Sequence, residues 1–284
     1  MSDLTYLQSV ILGVVEGLTE FLPVSSTAHL TITEKLMGLE VDAPEVTAYT
    51  AIIQLGAIAA TFVYFFRDIV RLVAAWGRGL ISAEEREHHD YWLAWAVIIG
   101  SIPVAVVGFV LRDLIAGPLR SLWVIAVALI LWSGVMWLAE SRHAKLAAEE
   151  RVRGEGRVSV RDGIVIGLVQ CFALIPGVSR SGATISAGLF RGLDRVTATR
   201  LSFFLAIPAL TAAGLFEAAT TDLSSLGKGQ MAVGVVVAFV VAYASIAWLL
   251  RFVATNTLIP FVWYRVALGA VLVAGLGTGV LAAT

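Results

Sequence analysis

The sequence predicts an all-α polytopic membrane protein, with six transmembrane helices and two re-entrant helical hairpins arranged as an inverted-topology repeat. Three observations carry this. The chain of 284 residues is 58% hydrophobic and only 14% charged, with a mean hydropathy of +0.87; soluble domains carry about 25% charged residues. Six stretches are long and apolar enough to cross a bilayer, which takes about 20 residues. Two more apolar stretches are each interrupted by proline and hydroxyl residues, and they align with one another at a spacing of 154 residues.

In chain order, the first hairpin covers 6–39. It carries Glu16, Glu20, His29, Glu34 and Lys35 and breaks at Pro23-Val24-Ser25-Ser26-Thr27. No Lys or Arg precedes Lys35, so the basic opening of a signal peptide is missing and this segment is expected to persist as structure. Spans follow at 47–66, at 91–111 with Pro103 as a kink site, and at 121–139. A basic loop at about 141–157 separates a first repeat of about 1–140 from a second of about 158–284, within one membrane-embedded domain. The second hairpin covers 163–193 and breaks at Pro176-Gly177-Val178-Ser179-Arg180-Ser181-Gly182. The last spans are 201–216, 229–250 and from about 260 to the end, with Arg265 near the start of the final one, where it can snorkel.

Sliding the first hairpin by 154 residues puts Gly13 on Gly167, Val15 on Val169, Val24 on Val178, Ser25 on Ser179, Gly38 on Gly192 and Leu39 on Leu193; Glu16 falls on Gln170 and Ala28 on Gly182. Three spans follow each hairpin, and an odd number inverts the second half. The basic residues divide accordingly. The loop read at 67–90, with Arg67, Arg71, Arg78 and Arg86, the 142–161 cluster, Arg191, Arg195, Arg200, Arg251 and Arg265 fall on one side, against Lys35, Arg112, Arg120 and Lys228 on the other. The positive-inside rule makes the basic side cytoplasmic and both termini external. His88, His89 and His143 go with the loops. Broken backbone at membrane depth must be buried in protein or line a polar cavity, so the two hairpin tips are expected to meet near the midplane.

A net charge of −1 argues against a nucleic-acid partner, since phosphate binding runs on counterion release by basic residues. The single cysteine, Cys171, allows no internal disulfide or cysteine metal site and reads as a small apolar helix residue.

The breaks carry the chemistry. Glu16 and Glu20 are four apart and project from one helix face. Two buried carboxylates repel unless a proton or cation lies between them, which points to a hard divalent cation, Mg²⁺ or Ca²⁺, held partly by substrate phosphates. Ser25, Ser26 and Thr27 precede a new helix; one of them serves as its N-cap. His29 is close enough in sequence for a hydroxyl–imidazole nucleophile. In the second break, Ser179, Ser181 and Thr184 with small residues at a helix N-terminus form an anion site, and Arg180 adds a forked cation suited to phosphoryl oxygens. An arginine at this depth needs a function or a partner; pairing with Glu16 or Glu20 is the structural alternative.

These segments resemble the undecaprenyl-pyrophosphate phosphatases, also called the bacitracin-resistance family. The family signatures are Glu/Gln-x-x-x-Glu running into Pro-x-Ser-Ser-Thr-Gly-His, and Pro-Gly-x-Ser-Arg-Ser-x-x-Thr. Here they read Glu16 to Glu20, Pro23 to His29 and Pro176 to Thr184, with Ala28 where the family has glycine. The resemblance extends over essentially the whole chain. It implies hydrolysis of undecaprenyl pyrophosphate to the monophosphate carrier lipid, bacitracin resistance, a divalent-cation requirement and a homodimer. It also implies a bacterial cytoplasmic-membrane location with the site facing outside. It marks Glu20, Ser26, His29 and Arg180 as catalytic, Ser25, Thr27, Ser179, Ser181 and Thr184 as pyrophosphate-binding, and Glu16 with Glu20 as metal ligands. The nucleophile is Ser26, Ser25 or water, and the base His29 or Glu20. Inverted repeats with broken helices also occur in transporters, so a transporter or flippase for an anionic lipid or solute is the competing expectation.

Overall fold

The fold was obtained as a computed structural model that describes residues 4–41, 43–116, 118–220 and 227–282; the last two residues of the final predicted span lie outside these. Among the described residues the chain is helical, with one isolated β-bridge between Arg153 and Leu193. The α-helices are α1 (Tyr6–Thr19), α2 (Ser26–Leu36), α3 (Pro44–Tyr64), α4 (Phe66–Ile81), α5 (His89–Val110), α6 (Arg112–Ala116), α7 (Leu122–Ala148), α8 (Val160–Gln170), α9 (Arg180–Phe190), α10 (Arg195–Thr220), α11 (Lys228–Thr255) and α12 (Ile259–Gly277). Six of them are long and apolar enough to cross a membrane, in α3, α5, α7, α10, α11 and α12, which matches the six predicted spans. Pro103 lies within α5, and Pro208 within α10, without ending the helix.

Local geometry recurs at the spacing found in the sequence. Thr5 and Ser159, 154 residues apart, each cap a helix with a full capping box, using Gln8 and Asp162. Ser25 and Ser179 each cap an 11-residue helix. Those helices end at Gly38 (φ 71°) and Gly192 (φ 79°), the left-handed position at which helices commonly stop on glycine.

Helix packing crosses between the halves. α1 lies against α11 and α8 against α5, while α3 also meets α11 and α10 meets α5. The seams are built from small residues four apart, which let backbones approach closely. A methyl group on Gly163 or Gly167 of α8 would be driven into the backbone of Ala96 or Gly100 on α5; one on Gly17 of α1 would sit 2.6 Å from the Ala238 carbonyl of α11.

Three expectations are corrected. The basic stretch after residue 66, read as a loop, begins with helix α4. Its apolar positions follow a helical period, with Leu72, Ala75 and Gly79 buried. Three of its charges are paired: Asp68 and Arg71 join Asp90, Glu155 and Arg200 in one network with contacts of 2.6–3.2 Å, and Arg78 meets Glu85 at 3.1 Å. His143, assigned to a loop, is buried on α7, which runs on to Ala148. Arg265 does not snorkel: it is fully buried, because its donors reach backbone carbonyls inside the protein instead of water.

Candidate active site

The two hairpin links come together around Arg180 and Glu20. Pro23 lacks the N–H that a continuing helix would need. The backbone then turns at Ser25 (φ 77°, ψ 99°) before α2, and at Ser179 (φ 74°, ψ 121°) before α9. Positive φ in a non-glycine residue costs about 1–3 kcal/mol and gathers at functional sites. Each serine recovers part of this by capping: Ser25 Oγ accepts from the Ala28 N–H at 3.4 Å and Ser179 Oγ from the Gly182 N–H at 3.2 Å.

Glu20, at the end of α1, is the hub. Its Oε2 accepts the Ser26 hydroxyl at 2.6 Å, and its Oε1 accepts from Arg180 Nη2 at 3.3 Å. The first distance is that of a charge-assisted O–H···O⁻ bond. Arg180 also donates from Nη1 to the Ser202 carbonyl at 3.2 Å, its Nε is buried without a protein partner, and its guanidinium lies over the Phe21 ring, 5.9 Å from the centroid. Glu16 is 1% exposed; its Oε1 has no hydrogen-bond partner, and its charged neighbours are Glu20 and Arg180.

The hard oxygen donors of Glu16 and Glu20 suit Mg²⁺ or Ca²⁺. The orphaned Glu16 oxygen fits a ligand still to be bound, since buried polar atoms ordinarily have partners. No cluster of three or more metal-binding side chains occurs among the described residues. Two carboxylates completed by substrate phosphates is how Mg²⁺ is often held.

His29 is occupied elsewhere. Its Nδ1 lies 2.7 Å from the Ser25 carbonyl and its Nε2 2.6 Å from the Tyr264 hydroxyl, with the two rings stacked. A carbonyl only accepts, so Nδ1 carries the proton of the neutral ring and Nε2 accepts from Tyr264. Thr27 is exposed. Ser181 and Thr184 are fully buried: the Ser181 hydroxyl bonds the Leu22 carbonyl at 2.9 Å, and Thr184 lies 2.8 Å from the Arg180 carbonyl and 2.6 Å from Ser202 Oγ. Ser179 Oγ is 3.2 Å from Ser181 Oγ. The structure thus gathers Glu16, Glu20, Ser26 and Arg180, sets Ser25 and Ser179 into the supporting turns and Ser181 and Thr184 into the first turns of α9, and turns His29 toward α12.

Sequence reasoning missed Ser202, Tyr264 and Arg265. Arg265 donates to Ser133 Oγ at 3.2 Å and to the carbonyls of Pro23 (3.3 Å), Leu129 (3.4 Å), Gly177 (2.9 Å) and Val178 (3.1 Å). A charge inside an apolar span was the available signal, the same one that singled out Arg180.

Six helices long and apolar enough to cross a membrane, packed around a largely buried serine–carboxylate–arginine cluster, define a multi-pass membrane protein with a polar cluster in its interior. The family model described as bacitracin resistance protein BacA matches residues 9–271. The chain is 55% identical to undecaprenyl-diphosphatase 1 of Streptomyces avermitilis over 99% of this chain and 100% of the relative. It is 56% identical to undecaprenyl-diphosphatase 1 of Streptomyces coelicolor over 99% of each, and 54% identical to the undecaprenyl-diphosphatase of Cutibacterium acnes over 95% and 96%. The protein belongs to the BacA family.

Proposed function

We propose that this protein is an undecaprenyl-diphosphatase: it hydrolyses undecaprenyl pyrophosphate to undecaprenyl phosphate and inorganic phosphate, and so returns the carrier lipid to cell-wall synthesis. Bacitracin resistance fits the same family. The observation that carries the reading is the 2.6 Å bond from Ser26 Oγ to Glu20, whose other oxygen is held by Arg180. Nucleophile and base are within reach, and the base is oriented by a third group.

In this reading the terminal phosphate enters beside Arg180, whose free Nε and cationic fork stabilise the phosphoryl oxygens. Ser26 Oγ attacks the terminal phosphorus while its proton passes to Glu20. The Oγ–P bond forms and the bond from that phosphorus to the bridging oxygen breaks, so undecaprenyl phosphate leaves with the electron pair. Glu20 gives that proton to the departing phosphate oxygen and then takes one from water, whose oxygen attacks the phosphoserine phosphorus; the P–Oγ bond breaks as Ser26 Oγ recovers the proton from Glu20, which frees inorganic phosphate. Direct attack by water from the Ser26 position gives the same products. Glu20 serves as base in preference to His29, whose ring nitrogens face Ser25 and Tyr264. Glu16 and Glu20 would hold a divalent cation, which when bound neutralises pyrophosphate charge.

The finer architecture belongs to the same proposal. α1–α2 and α8–α9 are re-entrant hairpins of an inverted repeat, a reading supported by the 154-residue recurrence of caps and stops. The bacterial inner membrane, an active site open to the outside and the homodimer rest on charge bias and resemblance. The decisive experiment measures inorganic phosphate released from a prenyl pyrophosphate by the detergent-purified protein. Release with added Mg²⁺ or Ca²⁺ is expected; none under any divalent ion would favour a transporter, the reading that broken helices in a repeat also fit.

A further inference from the structure

Arg265 heads the fully buried side chains by size, and its five hydrogen bonds go to one hydroxyl and four backbone carbonyls. A buried cation bonded only to neutral groups carries a desolvation cost that an apolar side chain of similar volume would avoid. Packing α12 on α7 does not require it: Ser133 already returns its hydroxyl to the Leu129 carbonyl at 2.6 Å, within its own helix. The remaining acceptors are different. Pro23 lies in the link between α1 and α2, and Gly177 and Val178 lie in the link between α8 and α9. Such non-helical backbone at membrane depth needs internal partners. One guanidinium, through its two terminal nitrogens, therefore ties together the two links that present Ser26 and Arg180. The residue before it on α12, Tyr264, reaches the same place by another route, bonding His29 and through it the Ser25 carbonyl.

We infer that Tyr264 and Arg265 of α12 form a positioning brace for the phosphatase site: Arg265 fixes the distance between the two hairpin links, and Tyr264 seats His29 against the strained Ser25 turn. This inference rests on the phosphatase reading. The brace touches neither Ser26 nor Arg180 directly. It acts on link residues one to three positions before each of them, so its loss moves nucleophile and phosphoryl clamp relative to one another. Gly177 belongs to the same construction. It has φ 98°, and a Cβ there would lie 2.6 Å from the Ile125 carbonyl of α7, so only glycine lets the link approach α7 closely enough to offer its carbonyl to Arg265.

The test uses the full chain purified in detergent, with phosphate release from a prenyl pyrophosphate as the activity and thermal unfolding as the measure of folding. Arg265→Lys keeps the charge but cannot span both links. Displacement of reacting groups by about 1 Å costs on the order of 10² in rate, so kcat should fall by about that factor with KM changed by less than about threefold. Ser133→Ala, which removes a contact of Arg265 that reaches neither link, should leave kcat unchanged while lowering the unfolding midpoint. Tyr264→Phe retains the stacked ring and loses only the hydroxyl, and should lower kcat without lowering the midpoint. A folded Arg265→Lys protein with the parent's kcat overturns the inference, as does a kcat loss in Ser133→Ala equal to that in Arg265→Lys, because Arg265 would then act only through overall stability. If Arg265→Lys does not fold, Tyr264→Phe decides, and an unchanged kcat there overturns the brace. A parent protein that releases no phosphate refutes the phosphatase reading instead, before any variant is compared.

Discussion

Replacing Glu20 by glutamine changes one heavy atom at the centre of the site, a carboxylate oxygen becoming an amide nitrogen. The amide retains an oxygen for one neighbour, either Ser26 or Arg180, and presents an NH₂ to the other. Facing Ser26 it cannot take a proton, and facing Arg180 it opposes donor to donor. The Ser26 contact is the shorter and stronger of the two, 2.6 Å against 3.3 Å, and it is the one the chemistry uses. A positioned general base contributes about 10²–10⁴ in rate. A fall of about 10³ in kcat corresponds to about 4 kcal/mol of barrier at 1.36 kcal/mol per decade. Arg180 keeps the Ser202 carbonyl, so the fold should survive the loss of its carboxylate partner. The assay is steady-state phosphate release by folded parent, Glu20→Gln, Ser26→Ala and the double variant. Since the two groups act as a unit, the double variant should be no slower than the slower single one. Glu16→Gln is the control: its amide oxygen can still face a cation, so activity should persist and should rise on titration with Mg²⁺ or Ca²⁺, whereas Glu20→Gln should not respond. Glu20→Gln with kcat within about tenfold of the parent would refute the assignment of Glu20 as base.

Arg180→Lys should lose on the order of 10² in kcat, because a point charge cannot hold two phosphoryl oxygens and bond Glu20 at once; near-normal turnover would make Arg180 only the partner of Glu20. Gly167→Val should abolish folded protein, since α8 meets the backbone of Gly100 there; an undiminished yield with the parent's unfolding midpoint would contradict the close seam. The network around Glu155 gives a pH signature outside the spans. Burial would raise its carboxyl, but the hydrogen bonds and charges of Arg200 and Arg71 hold it below the ordinary range. A depressed folded value contributes stability above the unfolded value of about 4.3 and loses it as pH falls through the folded one. The unfolding midpoint should therefore drop between about pH 5 and lower values, and less steeply in Glu155→Gln; equal slopes would remove the network's role. Finally, single cysteines introduced between Glu84 and Glu87 after Cys171→Ser should be labelled by an impermeant thiol reagent only from the cytoplasmic side; labelling from outside would reverse the proposed orientation.

The spans and the two breaks were legible because each has a local cause: hydropathy for the first, and proline with clustered hydroxyls for the second. The recurrence at 154 residues was visible from six identities, and the caps at Thr5 and Ser159 follow it although those positions are not identical. Helix α4 was hidden because Arg67, Asp68, Arg71 and Arg78 make its composition look like a loop. The apolar positions at Ile69, Leu72, Ala75, Trp76 and Gly79 carry a helical period, but their partners come from distant parts of the chain. In the site, the residue types on the two links could be read directly. Which hydroxyl met which carboxylate could not, since it depends on how the chain folds back across the Pro23 link to bring Ser26 to Glu20; the Arg180 contact depends on how the two distant links dock. Arg265 was set aside because a charge near the end of a span has an inexpensive solution at the membrane surface. Only the burial of α12 against both links removes that option.

The crossed seams bear on how the chain assembles as it enters the membrane. α1 and α3 are synthesised long before α11, the helix whose Gly234 and Ala238 receive α1, and α5 waits for the glycine face of α8. Until the second half is inserted, the first exposes glycine-lined grooves and a break with unsatisfied carbonyls, and the Pro23 carbonyl acquires its Arg265 donor only when the last helix arrives. The seams between the two halves can therefore close only after the second half has been made. A chain severed between residues 149 and 157 should yield fragments that are proteolytically labile alone and stable when synthesised together.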